Sequence, residues 1–331
     1  MAHKFFLYLL RNQVILALFV IAMGWFLFQT RGIIMSIFLA YIINSSLLPL
    51  VKYLKRKGFP NFFAAFVPFI SIIIFIILIV FSLIPFIASQ VASLLTGLPG
   101  YLKQSGDLLG FQVDPNGIQS FIGREIDGIG RNAFSVTSKV FGSIFSILTV
   151  LVVSFYLVLY HDQFKKSVSH LFHRSQRARV VETLEVIDEK LGAWLQGQII
   201  LSFAIGIITY IVLSILQVPY ALPLAILAGM LEVVPTLGPI IASIPAIIVA
   251  LTVSPTLAVI VALLYLVIQM LENNILVPKI MQRAVGLNPV VVIVAVMIGA
   301  NLMGIIGALL SIPFVSFLMV LFNSLNSEED K

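Results

Sequence analysis

The chain alternates long apolar runs with short polar breaks. About twenty consecutive apolar residues suffice to cross the hydrocarbon of a bilayer as a helix. A first run covers roughly 13–29, and after a break at Thr30, Arg31 and Gly32 a second continues to about Val51. A third covers roughly 62–87, a fourth about 143–160, ending at Tyr160, His161 and Asp162, and a fifth roughly 199–217. The last third holds three blocks, 221–252, 256–277 and 289–323. The pattern predicts an all-α integral membrane protein, a polytopic helical bundle of about eight membrane segments.

Two stretches break this pattern. Residues 88–142 are rich in Gly and Ser, carry Pro99 and Pro115, and balance Lys103, Arg124, Arg131 and Lys139 with Asp107, Asp114, Glu125 and Asp127. They read as an external region of loops and short helices. In 161–198, Val180, Leu184, Ile187, Leu191 and Trp194 recur at helical spacing, with Glu182, Glu185, Asp188, Glu189 and Lys190 between them. That is an amphipathic helix on the cytoplasmic side, braced on its own bundle, on the membrane surface or on a neighbouring subunit. The organisation expected is 1–87 as amino-terminal transmembrane helices, 88–142 external, 143–160 transmembrane, 161–198 cytoplasmic and 199–324 as a transmembrane core.

The blocks 221–252 and 289–323 are longer than one crossing needs, and each breaks near its middle. The first breaks at Glu232-Val-Val-Pro235-Thr-Leu-Gly238-Pro239, the second at Gly299-Ala-Asn301-Leu-Met-Gly304-Ile-Ile-Gly307. The same tripeptide follows each break, Ser243-Ile244-Pro245 and Ser311-Ile312-Pro313. Bent spans and re-entrant hairpins both fit. A hairpin of two half-helices suits the length, and it moves Lys279 and Arg283 to the cytoplasm, where basic residues concentrate. Broken helices at membrane depth must face protein or a wet cavity.

Composition sharpens the picture. The 331 residues are 60% hydrophobic and 10% charged, against about a quarter charged in soluble domains. The formal charge of +6 comes from short basic runs beside apolar segments, a topology signal rather than a nucleic-acid footprint. Lys52, Lys55, Arg56 and Lys57, with no acid among them, mark a cytoplasmic loop and place the amino terminus on the same side as that loop. The carboxyl terminus is expected there too. The first apolar run reads as a retained helix, not a cleaved signal. The absence of Cys excludes thiol chemistry and disulfides.

Ionisable groups inside apolar spans are costly and need an account. Glu232 sits at the first break and Glu272 near the end of 256–277. Tyr265, Gln269, Glu272 and Asn273 are spaced by four, three and one, which lines them along one helix face, with Asn274 beside them. This stripe is expected to face the protein interior and line a hydrophilic path. Carboxylates removed from water can take up and release protons near neutral pH, which proton-coupled transport requires. The plainer reading is that Glu232 caps a broken helix or pairs with Lys279 or Arg283. Pro235, Gly238, Pro239, Pro278, Gly304 and Gly307 read as hinges and close-packing sites. His161, His170 and His173 match no zinc spacing and read as a solvated or headgroup-facing cluster. No phosphate-binding loop or hydrolase motif occurs, so no cofactor, no metal and no enzymatic activity are expected.

The Glu232-to-Pro239 run resembles the Glu-x-x-Pro-x-x-Gly-Pro signature of the autoinducer-2 exporter family of bacterial and archaeal membrane proteins. Gln269-Met-Leu-Glu272-Asn273-Asn274-Ile-Leu-Val-Pro278-Lys279-Ile is similar to its second signature, and Val285-Gly286-Leu287-Asn288-Pro289 follows, where many members carry His in place of Asn288. Gly304-Ile-Ile-Gly307 through Pro313 also fits, as does Leu195-Gln196-Gly197-Gln198, where a basic residue often replaces Gln196. The likeness is specific over roughly 190–320; before that it rests on the order of spans and the long external loop. It implies a permease-like protein of the cell membrane, a homo-oligomer embedded in lipid. Its partner would be a small polar solute such as autoinducer-2, a polyhydroxylated furanone derivative, or Na+ and H+, since some members are described as sodium/proton antiporters. A membrane scaffold that moves nothing, working through the 161–198 helix, is the contrasting reading.

Overall fold

The computed structural model describes residues 13–75, 77–78, 133–234, 237–281 and 288–326. Among these the secondary structure is helical throughout, in keeping with the all-α membrane class. The chain forms α1 (Gln13–Arg56), α2 (Asn61–Phe75), α3 (Ala133–Leu159), α4 (His161–His170), α5 (Arg177–Ile215), α6 (Ala221–Leu231), α7 (Leu237–Val253), α8 (Pro255–Leu271), α9 (Val277–Ile280) and α10 (Pro289–Asn326). A 3₁₀ turn, Arg174–Gln176, precedes α5, and a π turn, Glu272–Leu276, joins α8 to α9. Most of the expected external region, with Pro99 and Pro115, lies outside the described residues; its last ten positions belong to α3.

The two amino-terminal spans expected from the sequence are one 44-residue helix. The polar break at 30–32 does not interrupt it because each polar group is satisfied on the helix itself. The Thr30 hydroxyl donates to the Phe26 carbonyl at 2.8 Å, and the Arg31 guanidinium lies 3.9 Å from the Phe28 ring centroid. At 1.5 Å per residue this helix is about 65 Å long, so Gln13 and Arg56 stand at opposite ends.

Four described runs are long and apolar enough to cross a membrane: Ala17–Arg56, Arg174–Ile215, Pro255–Ile280 and Val290–Ser324. α3 and α4 make a fifth if taken together, although they meet at 80°. Against the expected eight, spans one and two merge, 221–253 divides into helices of 11 and 17 residues, and the third expected span, 62–87, lies partly outside the described residues.

Both long blocks fold back on themselves. A methyl added to Gly299 would strike the Gly307 carbonyl, and one on Gly307 the Gly299 carbonyl. In a straight helix those residues would be about 12 Å apart, so the two halves of α10 form a hairpin. Its apex is Met303 and Gly304, with Gly304 at φ 62°, ψ −143°, a conformation essentially confined to glycine. The 221–253 block turns as sharply: a Cβ on Gly238 would meet the Leu231 carbonyl. Leu224 and Ala228 of α6 share a buried cluster with Ala242, Ala246 and Ala250 of α7.

In lipid, apolar burial brings no hydrophobic gain between helices; close packing and polar bonds hold them. α5 is the spine. Its Ile187, Leu191 and Trp194 are buried against Ile42 of α1 and Leu310 and Ile312 of α10, as the amphipathic pattern predicts. The Gln196 amide donates to the Ser46 carbonyl at 2.7 Å. Thr183 and Ser324 hydroxyls lie 2.7 Å apart. The Arg56 end of α1, the charged half of α5 and the end of α10 therefore share one face, called here the basic face.

Asp188 locks that face. It accepts from the Tyr41 hydroxyl at 2.7 Å, the Ser45 hydroxyl at 3.0 Å and the Lys165 ammonium at 2.8 Å, and it lies 3.1 Å from His161 Nε2. His161 also meets the Asn44 amide at 3.4 Å. This corrects two sequence expectations: His161 is buried rather than solvated, and Asp188 points inward from the nominally polar side of its helix. The reason is that α4 leaves α3 at an 80° bend, packs on α5 and brings its own cation to the acid. Asp188 sits in the charged first half of α5, outside the apolar 199–215 stretch. Burial there would raise its pKa, but bonds from His161, Lys165 and Tyr41 outweigh it and hold the carboxyl below the usual range.

Candidate functional site

The break after α6 and the π turn after α8 meet in the interior. Glu232 caps the end of α6 and is fully buried; Glu272 opens the π turn and is 2% exposed. Their carboxyls lie within hydrogen-bonding reach of each other. The two acids lie forty residues apart in sequence, and the topology makes them neighbours: α6 descends from the Gln217–Tyr220 turn, α7 returns, and α8 descends again to equal depth.

Each local geometry has a cause. α6 stops at Glu232 because Pro235, two residues on from Val233, cannot continue it; Pro235 itself lies outside the described residues. Gly238, which is buried, then lets the chain reverse against Leu231. The π turn arises where Pro278 has no N–H for the Asn274 carbonyl. The ladder widens by one residue, and the Val277 N–H reaches back to the Glu272 carbonyl. Such π bulges recur at functional sites.

The surroundings of the pair are poor in positive charge. Among the described residues neither acid has a basic partner within ion-pair distance; Lys279 is exposed, and Arg283 lies outside the described residues. Gln269 donates to Glu272 Oε2 at 3.3 Å. Among the described residues no N–H or hydroxyl donates to either Glu232 carboxyl oxygen. The end of α6 adds the negative end of a helix dipole to the same spot. Two carboxylates in contact and out of water need a proton or a cation between them. The arrangement is suited to holding and exchanging one.

The predicted polar stripe is divided. Tyr265 is buried and Gln269 half-buried beside Glu272, whereas Asn273 and Asn274 are exposed, with the Asn274 amide on the Met270 carbonyl at 2.8 Å. The extra residue of the π turn rotates both asparagines off the face that an ideal 3.6-residue period would give them. Pro239 and Gly307 are buried in the hairpins, Gly304 is exposed at the apex of α10, and Pro278 is exposed in the first turn of α9.

Gln198 joins this site and was missed as a site residue. It is 2% exposed, and its amide donates to the Glu232 main-chain carbonyl at 2.7 Å, a carbonyl freed by the helix end. The available signal was an uncharged polar residue at the very edge of an apolar span, next to a glycine that lets α9 approach. A Cβ on that Gly197 would lie 2.8 Å from Met281 Sδ. Among the described residues no cluster of three metal-ligating side chains occurs.

The model of the AI-2E family transporter matches residues 14–327. A Bacillus subtilis protein named "Putative transport protein YrrI" is 28% identical over 311 residues, covering 90% of this chain and 87% of that protein. The Escherichia coli K12 protein named "AI-2 transport protein TqsA" is 26% identical over 304 residues, covering 85% and 81%. The Escherichia coli K12 protein named "Putative transport protein YhhT" is 35% identical over 118 residues, about a third of each chain.

Proposed function

This chain belongs to the AI-2E family of transporters, a multi-pass protein of the cell membrane, and from that premise we propose that it is a secondary exporter of a small polar solute, coupled to a proton or cation at the Glu232–Glu272 pair. The observation that carries the reading is the pair itself: two facing acids, buried at two helix breaks, with no basic partner among the described residues. The solute class follows from TqsA, whose name specifies AI-2. Broken helices at membrane depth offer half-helix ends to a substrate and joints for alternating access. Charge at the pair sets which conformations are favoured: an ionised pair resists closure away from water, and a neutralised one permits it. In this reading the α6–α7 and α10 hairpins re-enter the membrane, and the basic face, with the carboxyl terminus, is cytoplasmic.

Sodium/proton antiport is the second reading, favoured by the same pair, because an acceptor-only site can exchange a proton for a small cation. The chain would work as a homo-oligomer, which the mass of the detergent-solubilised complex tests. The functional test is proton flux in proteoliposomes holding the pure protein and a pH-sensitive dye, given a sodium pulse and then polyhydroxylated solutes. Export predicts a proton signal with solute only, and antiport a signal with sodium alone. Silence in both, with insertion confirmed, removes the transport mechanism and favours a scaffold role.

A further inference from the structure

Several serine and threonine hydroxyls in these helices satisfy themselves one turn back. Thr30, Ser36, Ser71 and Thr183 all donate to the carbonyl four residues earlier, at 2.8–2.9 Å. Two hydroxyls of α5 do not. Ser202 Oγ and Thr209 Oγ1 are buried and without a hydrogen-bond partner, as are Gln198 Oε1 on the same helix and the Tyr265 hydroxyl on α8. Thr209 is completely buried, Gln198 2% and Tyr265 8% exposed. Buried polar atoms are rarely left unpaired, and each such case calls for a physical reason.

These atoms are arranged in order. Positions 198, 202 and 209 are separated by four and seven residues, which puts them on one helix face over about 16 Å of axis. That face meets α6: Gln198 is bonded to Glu232, and a Cβ on Gly229 would lie 2.7 Å from the Ser202 carbonyl. Tyr265 shares a buried cluster with Leu213 of α5, one turn beyond Thr209. The row begins at the carboxyl pair and runs away from the basic face toward the Gln217–Tyr220 turn.

We propose that Gln198, Ser202 and Thr209 of α5, with Tyr265 of α8, line a water-admitting proton path from the Glu232–Glu272 pair to the face that carries the Gln217–Tyr220 turn. A hydroxyl that keeps its hydrogen off the local carbonyl can accept a proton on one side and release its own on the other. Water between these groups carries the proton: at each water or hydroxyl oxygen one O–H bond forms as another breaks, so each ends unchanged, while Gln198 Oε1 only accepts and orients the water at the start of the row. The direction supplies what the pair needs for coupling, separate access to the face opposite the cytoplasmic one. The inference rests on the transport reading for its purpose, but not for its test.

The chain contains no cysteine, so single cysteines report cleanly. Ser202→Cys and Thr209→Cys, reconstituted in vesicles, are exposed to a small charged methanethiosulfonate from each face in turn. Ile205→Cys, whose native side chain is 2% exposed on the same helix, is the buried apolar control. Both path positions should react at least tenfold faster than the control, and only from the face of the Gln217–Tyr220 turn. Reaction no faster than at 205, or equal from both faces, overturns the path. In parallel, Thr209→Val should slow proton uptake after a pH jump on that face about tenfold and leave uptake from the basic face unchanged, with Thr209→Ser restoring it. Labelling without any proton uptake in the parent protein would remove the transport reading and keep the path; uptake without labelling would do the reverse.

Discussion

Two buried acid sites lie on this bundle, one at Asp188 of α5 and one at the Glu232–Glu272 pair, which Gln198 meets about 15 Å further along the same helix, and their surroundings differ in kind. Asp188 is wrapped by donors, with Lys165, His161, Tyr41 and Ser45 all reaching its carboxyl. Glu232 and Glu272 face each other, with one glutamine amide on Glu272 and no donor on the Glu232 carboxyl. A carboxylate surrounded by donors holds a fixed charge and serves as a clamp joining α1, α4 and α5. A pair with one amide donor between two acids and no cation beside it among the described residues must bind something to be neutral, and what it binds can be exchanged. Burial alone would have ranked the two sites together; the partners separate them.

The comparison can be broken experimentally, and the largest expected effect is on flux. Glu272→Gln should reduce proton-coupled transport to the background of empty vesicles while insertion and folding persist; normal pH-dependent flux in that variant would remove Glu272 from the mechanism. Next, Asp188→Ala leaves Lys165 only the longer 3.9 Å pairing with Glu185 and unpairs His161, Tyr41 and Ser45, so it should destabilise by about 3–5 kcal/mol, seen as a lower thermal midpoint in detergent, with transport per folded molecule kept. Gly299→Ala, whose methyl would strike the Gly307 carbonyl, should cost about 1–3 kcal/mol by overpacking and lower the midpoint less. Glu232→Gln should leave the midpoint unchanged or higher, because an amide beside an acid removes like-charge repulsion; a fall as large as that of Asp188→Ala would show that Glu232 is a clamp as well.

The smallest effect is the acid response of Asp188. Its folded carboxyl is held below the ordinary value near 4, so the clamp contributes fully above about pH 4 and is lost as the pH falls below it. A thermal midpoint that drops below pH 4 in the parent, and does not drop further in Asp188→Asn, is the outcome to look for.

Much of this was legible in the sequence, and the failures have identifiable causes. The membrane class, the breaks near Glu232 and Gly304, and the two acids followed from the rarity of polar residues in lipid-exposed helices. The single α1 helix was not legible, because Thr30 and Arg31 look like a break until their contacts with Phe26 and Phe28 are seen. The outward turn of Asn273 and Asn274 was hidden by assuming a constant helical period across a Pro-induced π turn. Asp188 was mistaken for a solvent-facing acid because its partners come from two helices distant in sequence. Gln198 was passed over because sequence weighting favours charge, and its role lies in a bond to a main-chain carbonyl that only the fold frees.

Infrared difference spectroscopy on purified protein, cycled across neutral pH, tests the central claim most directly, because it observes protonated carboxyls themselves. A protonated-carboxyl band that responds to the pH cycle in the parent and in Asp188→Asn, and disappears in both Glu232→Gln and Glu272→Gln, is the result this account predicts. A band that persists in both glutamate variants, or that is lost only in Asp188→Asn, would contradict it and place proton exchange outside the pair.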